Sequence, residues 1–130
     1  MIKNYILADK ILTYSFVIFL LCIGFDKIVQ TNLITSWQQI VGPVVHFLLP
    51  FNLGSIVMIE GAIEIILGIL LLTRLKAYAL ALLIITIAIV VADLFILRYY
   101  DLAIHEIMFI VVCIAIYSMD TKMVKSETKG

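Results

Sequence analysis

The stretch Leu53-Gly54-Ser55-Ile56-Val57-Met58-Ile59-Glu60-Gly61-Ala62-Ile63-Glu64-Ile65-Ile66-Leu67-Gly68-Ile69-Leu70-Leu71-Leu72 decides the fold. It has the length of a bilayer-spanning helix, which needs about 20 mainly apolar residues. Two glutamates interrupt it. A charge at the centre of a span costs roughly 2.5–3.5 kcal/mol on insertion scales, and each Leu or Ile returns about 0.3–0.6. Two ionised carboxylates would therefore cost about 5–7 kcal/mol, close to what the dozen Leu, Ile and Val residues of the run return. The span is marginal with both glutamates charged and facing lipid. They are expected to face the interior of a bundle, with one protonated or paired to a cation.

The flanking sequence repeats the pattern. Of 130 residues, 65% are hydrophobic and 14% charged, and the mean hydropathy is +1.22. Soluble domains are about 45–50% apolar and 25% charged, so lipid rather than water is the solvent here. Nine basic and nine acidic residues give no net charge, which argues against nucleic acid as a partner. Three further apolar runs are found at 11–29, 77–97 and 102–119. With 53–72 they predict an all-α membrane protein. The expected architecture is a four-transmembrane-helix antiparallel bundle, one domain over 1–130, with a mobile polar tail at 120–130. Lys3 and Lys10 before the first run imitate a signal peptide, but no small-x-small cleavage site follows, and the run is read as a retained helix. Cys22 and Cys113 lie in apolar runs without Cys-x-x-Cys spacing and are read as packing residues.

The turns at Arg74–Lys76 and Arg98–Asp101 are too short for anything but antiparallel neighbours. The long connection, Gln30 to Asn52, carries Trp37, Ile40, Val41, Val44, Val45 and Leu48 at helical spacing. Thr35 with Gln38, or Ser36 with Gln39, offers a capping-box start, and Gly42-Pro43 should kink or split the helix. The segment is expected to be amphipathic and interfacial, with Trp37 at headgroup level, a re-entrant half-helix being the alternative. Lys3, Lys10, Arg74, Lys76, Lys122, Lys125 and Lys129 fall on the side of the termini, against Lys27 and Arg98 on the other. The positive-inside rule places both termini in the cytoplasm of a multi-pass cell-membrane protein.

Acidic residues distribute the other way. Asp26, Glu60, Glu64, Asp93, Asp101 and Glu106 lie in the outer half or at the outer turns. At a rise of about 1.5 Å per residue, Glu60 is about 10 Å and Glu64 about 16 Å below the outer end of their span. Asp93 and His105 come about 6 and 5 Å below the outer ends of theirs. The candidate site is thus one outward-facing layer of Lys27, Glu60, Glu64, Asp93, His105 and Glu106. Lys27 matches Glu60 in depth, and His105 can serve either carboxylate. Glu60 and Glu64 are one helical turn apart, so their charges repel and their titrations couple. Gly61 and Gly68 lie on nearly the same face and would admit a close neighbour. Each polar residue also has a structural reading. Asp26 and Lys27 can snorkel, Asp93 can pair with Arg98 or Lys27, and His105 with Glu106 can form an interfacial pair. Glu64 can lock helix register, although so deep a carboxylate points first to function. No Glu-x-x-His motif occurs, so no metal is assigned.

Leu21-Cys22-Ile23-Gly24-Phe25-Asp26-Lys27-Ile28 resembles the G-x-x-K end of the first helix in DoxX-like membrane proteins. Glu60 to Leu72 resembles their second helix, an E-x-x-x-G followed by leucines, and the basic turn Arg74-Leu75-Lys76 fits as well. The resemblance spans about residues 11–119 and matches at Gly24, Lys27, Glu64 and Gly68. Relatives often open the fourth helix with Arg-Asp-x-Gly, where this chain has Ile104-His105-Glu106. The resemblance implies an accessory subunit of a quinone-linked membrane oxidoreductase, the polar layer handling quinone or protons. It supplies no catalytic signature. The competing reading is a non-catalytic scaffold, assembly or cargo factor, its outer acidic layer and Trp37 segment docking an extracytoplasmic partner. Expected partners are the lipid bilayer, other membrane or extracytoplasmic subunits, and a second copy of the chain. A small-solute transporter is the weakest reading, since no inverted repeat is visible.

Overall fold

A computed structural model describes residues 2–30 and 36–129. The chain forms α1 (Ile2–Val29), a short 3-10 turn (Trp37–Ile40), α2 (Pro43–Leu48), α3 (Leu53–Leu70), α4 (Lys76–Ile96) and α5 (Tyr100–Lys129). No strand occurs among the described residues. Four segments are long and apolar enough to cross a membrane: Lys3–Val29, Leu53–Leu70, Lys76–Ile96 and Tyr100–Lys122. In hydrocarbon a helix satisfies its backbone groups within one segment, so runs this apolar have few alternatives.

The element ends follow local chemistry. The Asn52 side chain accepts the Ser55 amide at 2.8 Å and starts α3. Thr73 closes the α3–α4 turn, donating to the Leu70 carbonyl and accepting from the Leu75 amide. Arg98 stops α4 with a left-handed φ of 65°, and the Tyr99 amide reaches back to Leu94. The long connection splits at Gly42-Pro43, as its sequence requires, with Pro43 opening α2. Ser36 makes no side-chain capping bond, so the Ser36–Gln39 box does not form. Its Thr35–Gln38 alternative falls on Thr35, outside the described residues.

Two boundaries differ from expectation. α1 begins at Ile2, well before the apolar run at Ile11, and α5 continues from the last span through the polar tail to Lys129. Both extensions are rich in good helix formers, and the ring of Tyr5 lies 5.2 Å from the Lys122 ammonium, joining them.

α1 packs most closely on α3, and α4 on α5, with α1–α5 and α3–α4 contacts closing the four-helix bundle. The α1–α3 approach is set by glycine. A Cβ on Gly61 would lie 2.6 Å from the Gly24 carbonyl oxygen and 2.9 Å from the Lys27 Cβ. The core runs through Phe16, Leu20, Leu67, Leu80, Leu83 and Ile116. Polarity is inverted relative to a soluble domain. Asp9, Asp26, Lys27 and Asp93 are buried, while Ile18, Ile66, Ile85 and Ile104 project outward from all four long helices. An apolar exterior this continuous belongs in lipid. Cys22 is exposed on it rather than packed inside, whereas Cys113 is buried.

Candidate functional site

Lys27 is the centre of the site. It lies near the end of α1, only 5% exposed, so it does not snorkel as its terminal position suggested. Its Nζ donates to Glu64 Oε1 at 2.6 Å and makes a longer contact of 3.5 Å with Glu60 Oε2. Depth matching paired it first with Glu60; the Gly24–Gly61 crossing instead brings its ammonium down onto the deeper carboxylate. The same ammonium sits 4.6 Å from the centre of the Trp37 ring, a cation–π contact. Glu64 Oε2 is buried without a hydrogen-bond partner among the described residues.

These groups roof a cavity of about 60 Å³ between the four long helices. Glu106 reaches it from α5 and Asp93 from α4, and Phe16, Leu20, Leu83, Ile87 and Phe109 make an apolar floor. Among the described residues lining it, one cation faces three glutamates. The site is therefore polar toward one end of the bundle and dry toward the other.

The described part of the connection between α1 and α3, from Trp37 to Val45, folds over this polar end. Trp37 is buried, and its indole N–H donates to Asp26 Oδ2 at 2.7 Å. Asp26, expected at the surface, is itself buried. Asp93 accepts the backbone amides of Val44 at 2.7 Å and Val45 at 2.9 Å, one on each oxygen. Its carboxylate thus caps the start of α2, in place of the expected pairing with Arg98 or Lys27. A helix whose own N-cap is Gly42 has no side chain to offer there, and the positive end of its dipole favours an anion.

Of the six residues expected in one layer, Lys27, Glu60, Glu64, Asp93 and Glu106 converge on the cavity. His105 does not. It is exposed, and its Nδ1 lies 2.7 Å from the Asp101 carbonyl oxygen of its own helix. Neighbouring helix positions differ by about 100° in direction, so only one of His105 and Glu106 can face inward. Trp37 and Asp26 are the residues that sequence reasoning left out. Their signal was an aspartate beside a lysine at a helix end and one indole nearby in need of an acceptor. Gly24, Lys27, Glu64 and Gly68 all lie along the α1–α3 contact.

No three His, Cys, Asp or Glu residues among those described converge in an arrangement that would hold a metal ion. What the cavity can do is hold water and charge: its volume suits a few water molecules and lies far below the ~300 Å³ typical of pockets for organic ligands. Comparison of the chain with protein-family models, with curated proteins and with solved structures gives no match.

Proposed function

We propose that this protein is a small membrane subunit of a redox assembly, resembling DoxX-like proteins, whose buried cavity moves protons for a quinone-linked partner. The four spans run antiparallel in this reading, and both termini lie in the cytoplasm with the seven basic residues of their side. The Trp37–Leu48 segment then lies at the outer membrane surface. Exposed Phe47, Leu48 and Phe51 give it an apolar face to set among the headgroups.

The observation that carries the reading is Lys27 with Glu60, Glu64 and Glu106 around a water-sized cavity inside the spans. Ionisable groups at membrane depth are costly, and where they line a wet cavity between helices they mark proton or ion paths. Glu60, Glu64, Asp93 and Glu106 line the cavity against the single ammonium of Lys27, which leaves a surplus of negative charge. The volume favours protons over a quinone head inside the cavity; a quinone would dock against its edge, from the lipid side. Glu64→Gln keeps the shape and removes the charge. In membranes carrying the complete assembly it should abolish proton-coupled quinone turnover while the protein still inserts. Full turnover in that variant would overturn the proposal.

The scaffold reading is favoured by Phe47, which is 85% exposed on α2. Trp37 cannot contribute to such a docking surface, because its ring is turned inward onto Lys27. Purification in mild detergent separates the two readings. A scaffold requires a stoichiometric extracytoplasmic partner whose retention survives Glu64→Gln and is lost in Phe47→Ser.

A further inference from the structure

Of the carboxylates that line the cavity, Glu60, Glu64 and Asp93 are already engaged. Glu64 Oε1 holds the Lys27 ammonium at 2.6 Å, and Glu60 Oε2 meets it at 3.5 Å. Both Asp93 oxygens accept amides at the start of α2. Glu106 differs from all three. It is half-buried on α5 and makes no hydrogen bond or ion pair among the described residues. Its oxygens are open to a water-sized neighbour, unlike Glu64 Oε2, which is sealed. From α1 it faces Lys27, from α3 Glu60 and Glu64, and from α4 Asp93, while His105 beside it on α5 turns outward. A proton arriving at Glu60 or Glu64 must displace the Lys27 ammonium; at Glu106 it displaces nothing. One turn further along α5, Phe109 lines the same cavity and stacks on Phe19 of α1, with ring centres 4.6 Å apart. Phe19 reaches the apolar exterior, so this pair leads from the carboxyl to the lipid face of the α1–α5 seam.

We infer that Glu106 is the carboxyl through which the cavity exchanges protons, and that it exchanges them on the lipid side, along the Phe19–Phe109 seam. The inference rests on the proton-handling reading and deepens it by naming the residue and the side. Lys27, Glu60 and Glu64 are then the fixed part of the site, whose ion pairs tie α1 to α3. Glu106 is the exchanging part. One of its oxygens takes up a proton and gives it back, and no other bond is made or broken. Because Glu106 stands on α5, outside the α1–α3 pair, the exchange does not require the Lys27–Glu64 bond to open. A proton carrier must be reachable and free of a competing counter-ion, and among the carboxylates lining the cavity only Glu106 is both.

The test is chemical labelling of the full chain in phosphatidylcholine liposomes. Dicyclohexylcarbodiimide partitions into lipid and adds to a carboxyl only in its protonated form, leaving an adduct that peptide mass spectrometry assigns to one residue. The adduct should fall on Glu106 and not on Glu60 or Glu64, and it should form more slowly as the pH is raised. Glu106→Gln should abolish labelling of the cavity rather than divert it to the other glutamates. Phe19→Ala should speed the labelling of Glu106 by widening the seam, whereas Ile66→Ala, exposed on α3 outside the cavity lining, should leave it unchanged. A water-soluble, cationic carbodiimide should label Glu106 far more slowly than the lipid-soluble one. No label on Glu106, a label on Glu60 or Glu64 in its place, or labelling indifferent to pH overturns the assignment. Equal labelling by the two reagents, or a rate unmoved by Phe19→Ala, overturns the lipid-side route. No redox partner is needed, so the result stands apart from the turnover of Glu64→Gln, on which the redox reading depends.

Discussion

Lys27 touches two glutamates and an indole at once, and each contact constrains what its removal does. Breaking a buried ion pair from one side leaves a charge without compensation, which costs about 3–5 kcal/mol. Lys27→Met should therefore lower the thermal stability of the purified protein by about that amount, measured as unfolding in detergent. Adding Glu60→Gln and Glu64→Gln to the same variant should recover most of the loss, because neutral side chains of similar shape need no counter-charge. A triple variant as unstable as the single one would mean that Lys27 matters for packing rather than for charge. Asp93 offers a second test at this scale. Its two oxygens hold the amides of Val44 and Val45, and a helix cap of this kind contributes about 0.5–2 kcal/mol. Asp93→Ala should loosen the connection between α1 and α3, so that chymotrypsin cuts at Phe47 faster, with Asp93→Asn intermediate. An unchanged cleavage rate would show that other contacts hold α2 in place.

Among the elements, α1 and α3 form the pair on which the site depends, and two glycines set their separation. Gly61→Ala would push a methyl group into the Gly24 carbonyl and the Lys27 Cβ, neither of which can give way without moving a helix. The expected loss is about 1–3 kcal/mol, the usual cost of overpacking, together with disturbance of the Lys27–Glu64 bond. Gly68→Ala, seven residues on, would meet the Leu20 and Leu21 side chains at 3.4 Å or more, ordinary contact, and should be tolerated or stabilising. Melting curves of the two variants check this pair. The contrast also shows what could be read in the sequence. The four long apolar helices and the split at Gly42-Pro43 follow from length and proline. Direction around the axis does not. A span apolar on every side has no polar face to orient it, so nothing in the run from Leu102 to Met119 tells whether His105 or Glu106 turns inward. Packing decides, and it chose Glu106. The bonds from Trp37 to Asp26 and from Asp93 to Val44 and Val45 were hidden for a related reason. They join residues whose proximity depends on how the long connection folds back, and neither hydropathy nor spacing encodes that path.

At the scale of the whole molecule, the proposed antiparallel arrangement sorts charge along the bundle. It puts seven basic residues against three acidic ones on the side of the termini and two against six on the other, so that the zero net charge of the chain becomes the sum of two opposite surpluses. Reporter fusions at the two termini should both read as cytoplasmic; opposite readings would refute the antiparallel four-span arrangement. α5 is longer than a bilayer core is thick: its 30 residues rise about 45 Å against about 30 Å. Its polar end lies beside the N-terminal end of α1, where the Lys122 ammonium meets the Tyr5 ring. The roof of the cavity has another consequence. Trp37 is the chain's only tryptophan, and it lies over Lys27 with its N–H on Asp26. The tryptophan fluorescence of the protein therefore originates at one point, where the ammonium, the carboxylates and the covering segment meet. Opening of that segment exposes the indole to water and should shift the emission to the red, and loss of the ammonium in Lys27→Met should change its intensity without a shift. The protein carries its own optical probe of the site, with no label needed.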